Sequence, residues 1–378
     1  MTLDKERLVS SSIGYGASRR YVLVIHGGAG IMSRDRTTPK QQESYRAALR
    51  KALQAGHAVL RDGGEAMDAA VAAVTVMEDC PLFNSGKGAV FNVAGKNELE
   101  SSIMLSRPPA SHPEVPSTRR GIGLTLLTRV KNPSQLARAL YLRESIAPHT
   151  LLSGATAESL AESMGEELVD PSYFFTEARW REHRRGLGLP EEPLPGHDDN
   201  QEKVSLSPPV PLDQMPTGTV GAVALDVTGG IAAVTSTGGK TNKLVGRIGD
   251  TPMMGAGFWA EEWQRPRSWI RRAWDSVTRN KERQHAVGIS GTGDGDYFIR
   301  SSAASTIARR VRYLREPLEE AASHVIEDLR KEGGIGGVIA VDSAGNVALP
   351  LNSSGMYRGV IRPDGVPKTA IFADDVLS

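Results

Sequence analysis

The sequence predicts an α+β fold of stacked layers with largely antiparallel strands, and three observations predict it. The chain opens on a buried strand and continues into two helix-like stretches. From residue 219 the pattern turns to strands, and a later helix is followed by more strands. Two hairpin-like segments share one spacing: Gly221, Ala224, Asp226, Gly229 and Ala232 are echoed by Gly337, Ala340, Asp342, Gly345 and Ala348. Matched hairpins predict two comparable pieces of sheet rather than a tandem array.

The elements follow in order. Tyr21–Ile25 is a compact apolar run feeding a glycine-rich turn, His26-Gly27-Gly28-Ala29-Gly30. Thr38 caps the next helix, with Pro39 at its first position and Gln41 where a capping-box partner belongs. Tyr45, Leu49 and Leu53 recur every fourth residue and give that helix one apolar face. Gly63-Gly64 ends it, and a second, buried helix runs from Glu65 to Met77. Residues 105–119 are rich in Pro and Ser and read as a loop. Residues 171–217 are first basic and aromatic, then rich in Pro, Glu and Asp, which predicts a flexible linker. Thr219–Asp226 and Ile231–Thr237 form the first hairpin, and Arg315–Lys331 reads as a helix ended by Gly333-Gly334.

Composition narrows the function classes. The chain has 378 residues, enough for one large or two ordinary domains, and its 39% hydrophobic and 24% charged residues read as soluble and globular. Its formal net charge of +1 gives no global field for nucleic acid or an anionic membrane. Cys80 is the single cysteine, so no internal disulfide is possible; it reads as a small buried apolar residue. The most apolar stretch, Ala66–Met77, is too short to span a bilayer. No signal peptide is recognisable, and the expected location is cytoplasmic, with no membrane partner.

The chemistry concentrates at Gly218-Thr219. A threonine hydroxyl needs an adjacent base. Cleaving the bond before it frees an α-amine of pKa about 7.7–8.0, neutral enough near pH 7 to serve. Attacker and base then share one residue. Gly218 tolerates the strain of an acyl shift, the linker before it gives the new end room, and the strand after it holds Thr219. In isolation, a Gly-Thr pair equally reads as the start of a strand.

Seven segments weigh on that choice: VIHGGAG (24–30), CPLFNSGKGAVF (80–91), GTVGAVALD (218–226), TSTGGKTNKLVGRIGD (235–250), GAGFWA (255–260), GTGDGDYFIR (291–300) and LNSSGMYRG (351–359). Together and in this order they resemble the plant-type asparaginase/isoaspartyl aminopeptidase family. The resemblance implies a four-layer αββα sandwich of N-terminal-nucleophile hydrolase type. It implies one catalytic unit over residues 1–378, cut into an α chain (1–218) and a β chain (219–378). A homodimer of the precursor then becomes an (αβ)2 assembly. Substrates are the side-chain amide of L-asparagine and β-aspartyl dipeptides, and no catalytic cofactor is needed.

Carried over by position, Thr219 is the nucleophile and Thr237 orients its hydroxyl or amine. Arg247 takes the substrate α-carboxylate with its planar fork, and Asp250 takes the α-ammonium. Thr292 and Gly293 form the oxyanion hole, and Asn84 supports the site. His26, Gly27 and Gly28 form the turn implicated in processing. The family also has a structural sodium held by main-chain carbonyls, here those of Met77, Glu78, Cys80, Phe83, Ser85 and Lys87. Read without the resemblance, Arg247 and Asp250 are a surface ion pair, the segment Gly291–Asp296 a loop, and His26 a satisfied histidine at a strand end. Asp294-Gly295-Asp296 lacks the spacing of a calcium loop.

The sequence departs from the family in four places. The loop at 105–119 is long. The linker before Thr219 is long too, though the family varies there. Residues 261–286 form an insertion with Trp263, Trp269 and Trp274 among seven Arg and Lys residues; the plain reading is a surface subdomain that buries its own aromatics, and the sharper one is that it narrows or redirects substrate choice. Glu98-Leu99-Glu100 carries glutamate where the family usually has aspartate. Three alternatives stand beside the main one: an aspartylglucosaminidase-like hydrolase, an uncleaved inactive relative that only binds, and single-strand binding by the basic Trp-containing segment. The near-neutral whole argues against the last.

Overall fold

The computed structural model describes residues 20–190, 218–264 and 284–378. The strands are β1 (Val22–Gly30), β2 (Leu99–Leu105), β3 (Gly121–Leu127), β4 (Leu151–Ser153), β5 (Val220–Leu225), β6 (Ile231–Thr237), β7 (Phe258–Trp263), β8 (His285–Gly293), β9 (Gly336–Asp342), β10 (Val347–Ala348), β11 (Gly355–Ile361) and β12 (Lys368–Phe372). The helices are α1 (Pro39–Arg61), α2 (Ala66–Glu78), α3 (Pro133–Leu142), α4 (Gly154–Met164), α5 (Glu177–Gly186), α6 (Gly295–Ser301), α7 (Ala303–Arg309) and α8 (Leu318–Lys331).

Local chemistry explains the clearest elements. Thr38 and Gln41 close the capping box of α1, with Gln41 Oε1 accepting from the Thr38 N–H at 2.9 Å. The predicted face Tyr45, Leu49, Leu53 is buried. The two echoed hairpins use one device. Asp226 Oδ1 accepts from the N–H groups of Thr228 (2.9 Å) and Gly230 (3.0 Å), and Asp342 Oδ1 from those of Ala344 (2.8 Å) and Asn346 (2.9 Å). A carboxylate that ties its own turn fixes the strand register on either side.

The hairpins lie in different sheets. One sheet has eight strands in the order β12-β11-β1-β5-β6-β2-β3-β4, the other four in the order β10-β9-β8-β7. Alternation sorts the side chains. Leu23, Ile25, Ala222, Ala224 and Val234 join the cluster that includes Leu49, Leu53, Ala70 and Val74 of α1 and α2. Their neighbours Val22, Val24, Val223 and Ala233 join Phe258, Ala260, Ile339 and Val341 of the smaller sheet. On that sheet's other side, Val287, Ile289, Val338 and Ala340 pack with Ile307, Val325 and Leu329 of α7 and α8. Strands buried on both faces explain their nearly continuous apolar runs.

Several boundaries differ from the sequence reading. The predicted turn His26–Gly30 is strand: β1 runs through it, and its pairing with β11 shifts register between His26 and Ala29, which absorbs the glycines. The predicted linker 171–217 is ordered at its start, with a 3-10 turn at Pro171–Phe174 followed by α5; residues 191–217 lie outside the described residues. Arg179 is fully buried, and its Nε donates to the Gly88 carbonyl at 2.9 Å. Trp180 meets the ring of Phe91 edge-on at 5.2 Å. The basic and aromatic composition is therefore a docking face: long side chains bury their stems while their charges find partners. Within the predicted insertion 261–286, Trp263 belongs to β7, where it pairs with His285 on β8 and is buried. Trp269 and Trp274 lie outside the described residues. The last long helix starts at Leu318, three residues late, because Pro317 can only stand at its cap.

Candidate active site

The sheet register brings the predicted residues to one end of the larger sheet. His26 pairs with Gly221, and Val220 with Ser236, so Thr219 and Thr237 lie one step beyond that pair. Thr237 in turn pairs with Glu100 on β2. From the facing sheet, the end of β8 brings Ser290, Thr292 and Gly293 to the same place.

Thr219 is 6% exposed and sits immediately before β5. Its carbonyl accepts a hydrogen bond from His26 Nδ1 at 2.8 Å. Burial pushes the His26 pKa down to about 3, so the imidazole is neutral and has a single N–H. With that proton on Nδ1, Nε2 accepts from the Ser290 hydroxyl at 2.7 Å. The Ser290 proton is then spent, so the Thr235 hydroxyl, 3.1 Å away, donates to Ser290. A proton-ordered rod thus runs from β6 across the facing sheet to the backbone of Thr219.

The hydroxyl that meets Thr219 Oγ1 is that of Thr251, at 3.4 Å. Thr237, expected in that role, instead accepts the Gly239 N–H at 3.0 Å. Asn84 acts on the same turn. Its Nδ2 donates to the Gly239 carbonyl at 2.7 Å, and its Oδ1 accepts from the Val90 N–H at 3.0 Å.

Gly218 packs tightly. A Cβ there would lie 2.5 Å from Thr292 Oγ1, 2.7 Å from the Ala29 nitrogen and 2.8 Å from Gly28 Cα. The Thr292 hydroxyl, which accepts the Ala29 N–H at 3.2 Å, therefore borders the Gly218-Thr219 bond. No larger residue fits between β8 and the glycines of β1.

Arg247 and Asp250 stand on the loop after β6. Arg247 pairs with Asp296 on α6 at 2.9 Å, and Lys240 pairs with Asp294 at 2.9 Å. Asp250 is 5% exposed; burial first, and the nearby Glu100 second, push its pKa up to about 7. Gly295 opens α6 against the Asp250 carboxylate, where a side chain would collide. The predicted carbonyl loop lies elsewhere, at the end of α2. The carbonyls of Glu78, Pro81 and Phe83 turn in on Gly86 and Gly88, and any Cβ there would strike them. The Glu78 carboxylate faces away from this role and caps α3 through the N–H (2.9 Å) and hydroxyl (2.8 Å) of Ser134.

Thr251, Ser290, Thr235 and Asp296 were not singled out by sequence reasoning. For Thr235 and Ser290 the signal is polarity inside apolar strands, as in Ala-Val-Thr-Ser-Thr (233–237) and Val-Gly-Ile-Ser-Gly-Thr (287–292); Thr251, in a turn, and Asp296, on α6, carry none. Among the described residues no helix is long and apolar enough to cross a membrane.

Known proteins share this arrangement of sequence. The asparaginase family profile matches residues 19–264 and 283–371, breaking inside the tryptophan-containing insertion. The chain is 37% identical to an isoaspartyl peptidase of Escherichia coli, over 93% of this chain and 96% of that one. It is also 37% identical to the isoaspartyl peptidase of Salmonella typhimurium, over 93% and 99%. To an isoaspartyl peptidase/L-asparaginase of Mus musculus it is 32% identical, over 90% and 88%.

Proposed function

Because the chain belongs to the asparaginase family, we propose that it cuts itself before Thr219 and then hydrolyses L-asparagine and β-aspartyl dipeptides. The observation that carries this reading is the tight seat of Gly218 against Thr292 and β1, with the Thr219 carbonyl held by His26. The layering of helices, sheet, sheet and helices supports the αββα architecture of N-terminal-nucleophile hydrolases.

In the precursor, Thr219 Oγ1 attacks the Gly218 carbonyl carbon, and the peptide nitrogen leaves with the hydroxyl proton as the free α-amine of Thr219. Water hydrolyses the resulting ester, which ends one chain at Gly218 and restores the Thr219 hydroxyl. In turnover that amine takes the hydroxyl proton as Oγ1 attacks the substrate amide carbon. The Thr292 hydroxyl and the Gly293 N–H hold the developing oxyanion. Ammonia or an amino acid leaves with the proton, and water releases aspartate from the threonyl ester. Arg247 and Asp250 grip the free α-carboxylate and α-ammonium, which internal asparagines lack. For this grip Arg247 exchanges Asp296 for the substrate.

A sodium ion suits the inward carbonyls of the 77–87 loop, a hard-oxygen set. The Met77, Glu78, Cys80, Phe83, Ser85 and Lys87 carbonyls would hold it, and its contribution is structural. The working form is an (αβ)2 assembly of two cut copies, and a cytoplasmic location fits a chain whose single cysteine cannot form an internal disulfide.

Intact mass and a denaturing gel test the reading. Wild type is expected as two fragments meeting between Gly218 and Thr219, and Thr219→Ala as one chain without ammonia release from asparagine. An uncut wild type that releases ammonia at the same rate as a cut one refutes it.

A further inference from the structure

Glu100 is fully buried on β2, beside Thr237 on β6. Its Oε1 accepts the N–H of Gly249 at 2.8 Å. Glu98, two residues earlier on the chain, accepts the N–H of Gly246 at 3.0 Å. The two carboxylates thus tie down both ends of the short segment that carries Arg247 and leads into Asp250. Lys243 adds a third tie, donating to the Glu98 carbonyl at 2.7 Å. The other oxygen of Glu100 is different: Oε2 is buried and accepts no hydrogen bond among the described residues. A buried acceptor left empty is destabilising, and such a group in a native fold calls for an explanation. Its surroundings supply one. The position where a side chain on Gly249 would begin lies 2.8 Å from Arg247 Nη1 and 3.1 Å from Glu100 Oε2. The empty oxygen therefore faces the clamp.

We propose that Glu100 is the positioning residue of the substrate clamp, a buried carboxylate that sets the loop of Arg247 and Asp250 and doubles the negative charge behind the substrate α-ammonium. The inference rests on reading Arg247 and Asp250 as that clamp. The charged groups facing the pair are Lys243 and Arg247 from the loop, Glu98 from the foot of β2 and Asp296 from α6. Burial raises the pKa of Glu100, and burial together with Glu100 raises that of Asp250. With Glu100 nearby, Asp250 keeps its proton up to about pH 7. An arriving α-ammonium replaces that proton, which passes to solvent, and Asp250 ionises. A ligand without the ammonium gains nothing from the pair. The free amine is thereby selected by charge as well as by fit.

Glu100→Gln and Glu100→Asp, with Asp250→Asn alongside, test this on the cut enzyme with a β-aspartyl dipeptide across pH. Glu100→Gln is expected to raise KM about tenfold with kcat changed less than about twofold, since one attractive charge is lost. It should also move the acid limb of kcat/KM down by about one pH unit, because Asp250 then titrates without its neighbour. Glu100→Asp keeps the charge and keeps the limb in place. An unmoved limb in Glu100→Gln, a fall in kcat at constant KM, or equal effects of both variants overturns the proposal. If Asp250→Asn leaves KM unchanged, the clamp reading fails instead; if it raises KM while Glu100→Gln does nothing, only the role of Glu100 fails. Wild type gives a test that needs no variant. Calorimetry of L-aspartate binding at about pH 6.5, in buffers of different ionisation enthalpy, should show up to about one proton released per site, and succinate should show none. Aspartate binding without proton release overturns the proposal.

Discussion

His26→Gln, made in a Thr219→Ala chain so that no cut complicates unfolding, is expected to flatten the acid limb of stability. In the folded protein the pKa of His26 is pushed from 6.5 to about 3, because burial strips water from the charged form. In the unfolded chain the imidazole titrates near its ordinary value of about 6.5. Between those values the unfolded state holds one proton more. Stability therefore falls with falling pH, by about 1.4 kcal/mol per unit at full slope. Integrated from about pH 7 to about pH 5, the loss comes to about 2 kcal/mol. Glu78 and Asp250 work with the opposite sign. Both are raised to about 7, so the folded chain keeps their protons over this window and stability rises as pH falls. Those contributions are common to both chains and cancel in the comparison. Glutamine can still donate to the Thr219 carbonyl but cannot titrate. Urea unfolding followed by circular dichroism at the two pH values should give a loss about 2 kcal/mol smaller in His26→Gln. Equal losses, within about 0.5 kcal/mol, mean that His26 is not held neutral, and the ordered rod from Thr235 to Thr219 falls with it.

Three further outcomes are expected. Gly218→Ala places a methyl 2.7 Å from the Ala29 nitrogen and 2.8 Å from Gly28 Cα; this overpacking of about 1–3 kcal/mol should slow chain cleavage at least about tenfold on a timed gel, and a wild-type rate contradicts the tight seat. Thr251→Val removes the hydroxyl 3.4 Å from Thr219 Oγ1. It should lower kcat about three- to tenfold in a steady-state assay and leave KM unchanged, as one modest hydrogen bond predicts. Gly295→Ala drives a methyl into the Asp250 carboxylate and is expected to raise KM about tenfold while fragments still form at the normal rate; an unchanged KM removes Asp250 from the binding site.

How much of this was legible depends on how local the cause is. The capping box of α1 is written in four consecutive residues, so Thr38, Pro39 and Gln41 predict the helix start that is observed. The hairpins at Asp226 and Asp342 are equally local. Gly218-Thr219 stood out through its chemistry and the flanking segments rather than through any pattern of its own. Helix α5 was read as linker because its apolar contribution comes from Trp180 and the stems of Arg179 and His183, whose partners Phe91, Gly88 and Asn242 lie far away in sequence. The Thr251 and Ser290 hydroxyls were missed for the same reason. Which strand of one sheet faces which strand of the other is not encoded in periodicity, and Ser290 reaches His26 across that gap.

The strand order of the larger sheet has a mechanical consequence. β1 belongs to the segment before Thr219, yet it is hydrogen-bonded on one side to β11 and on the other to β5, both from the segment after it. β2 likewise borders β6. Severing the backbone at Thr219 therefore yields two polypeptides braided through a common sheet. The half before Thr219 keeps β2, β3 and β4 together and the half after it keeps β11 with β12 and β5 with β6, yet separating them means tearing three ladders at once. Dilution alone cannot unthread them, so the nick alters connectivity while the scaffold persists.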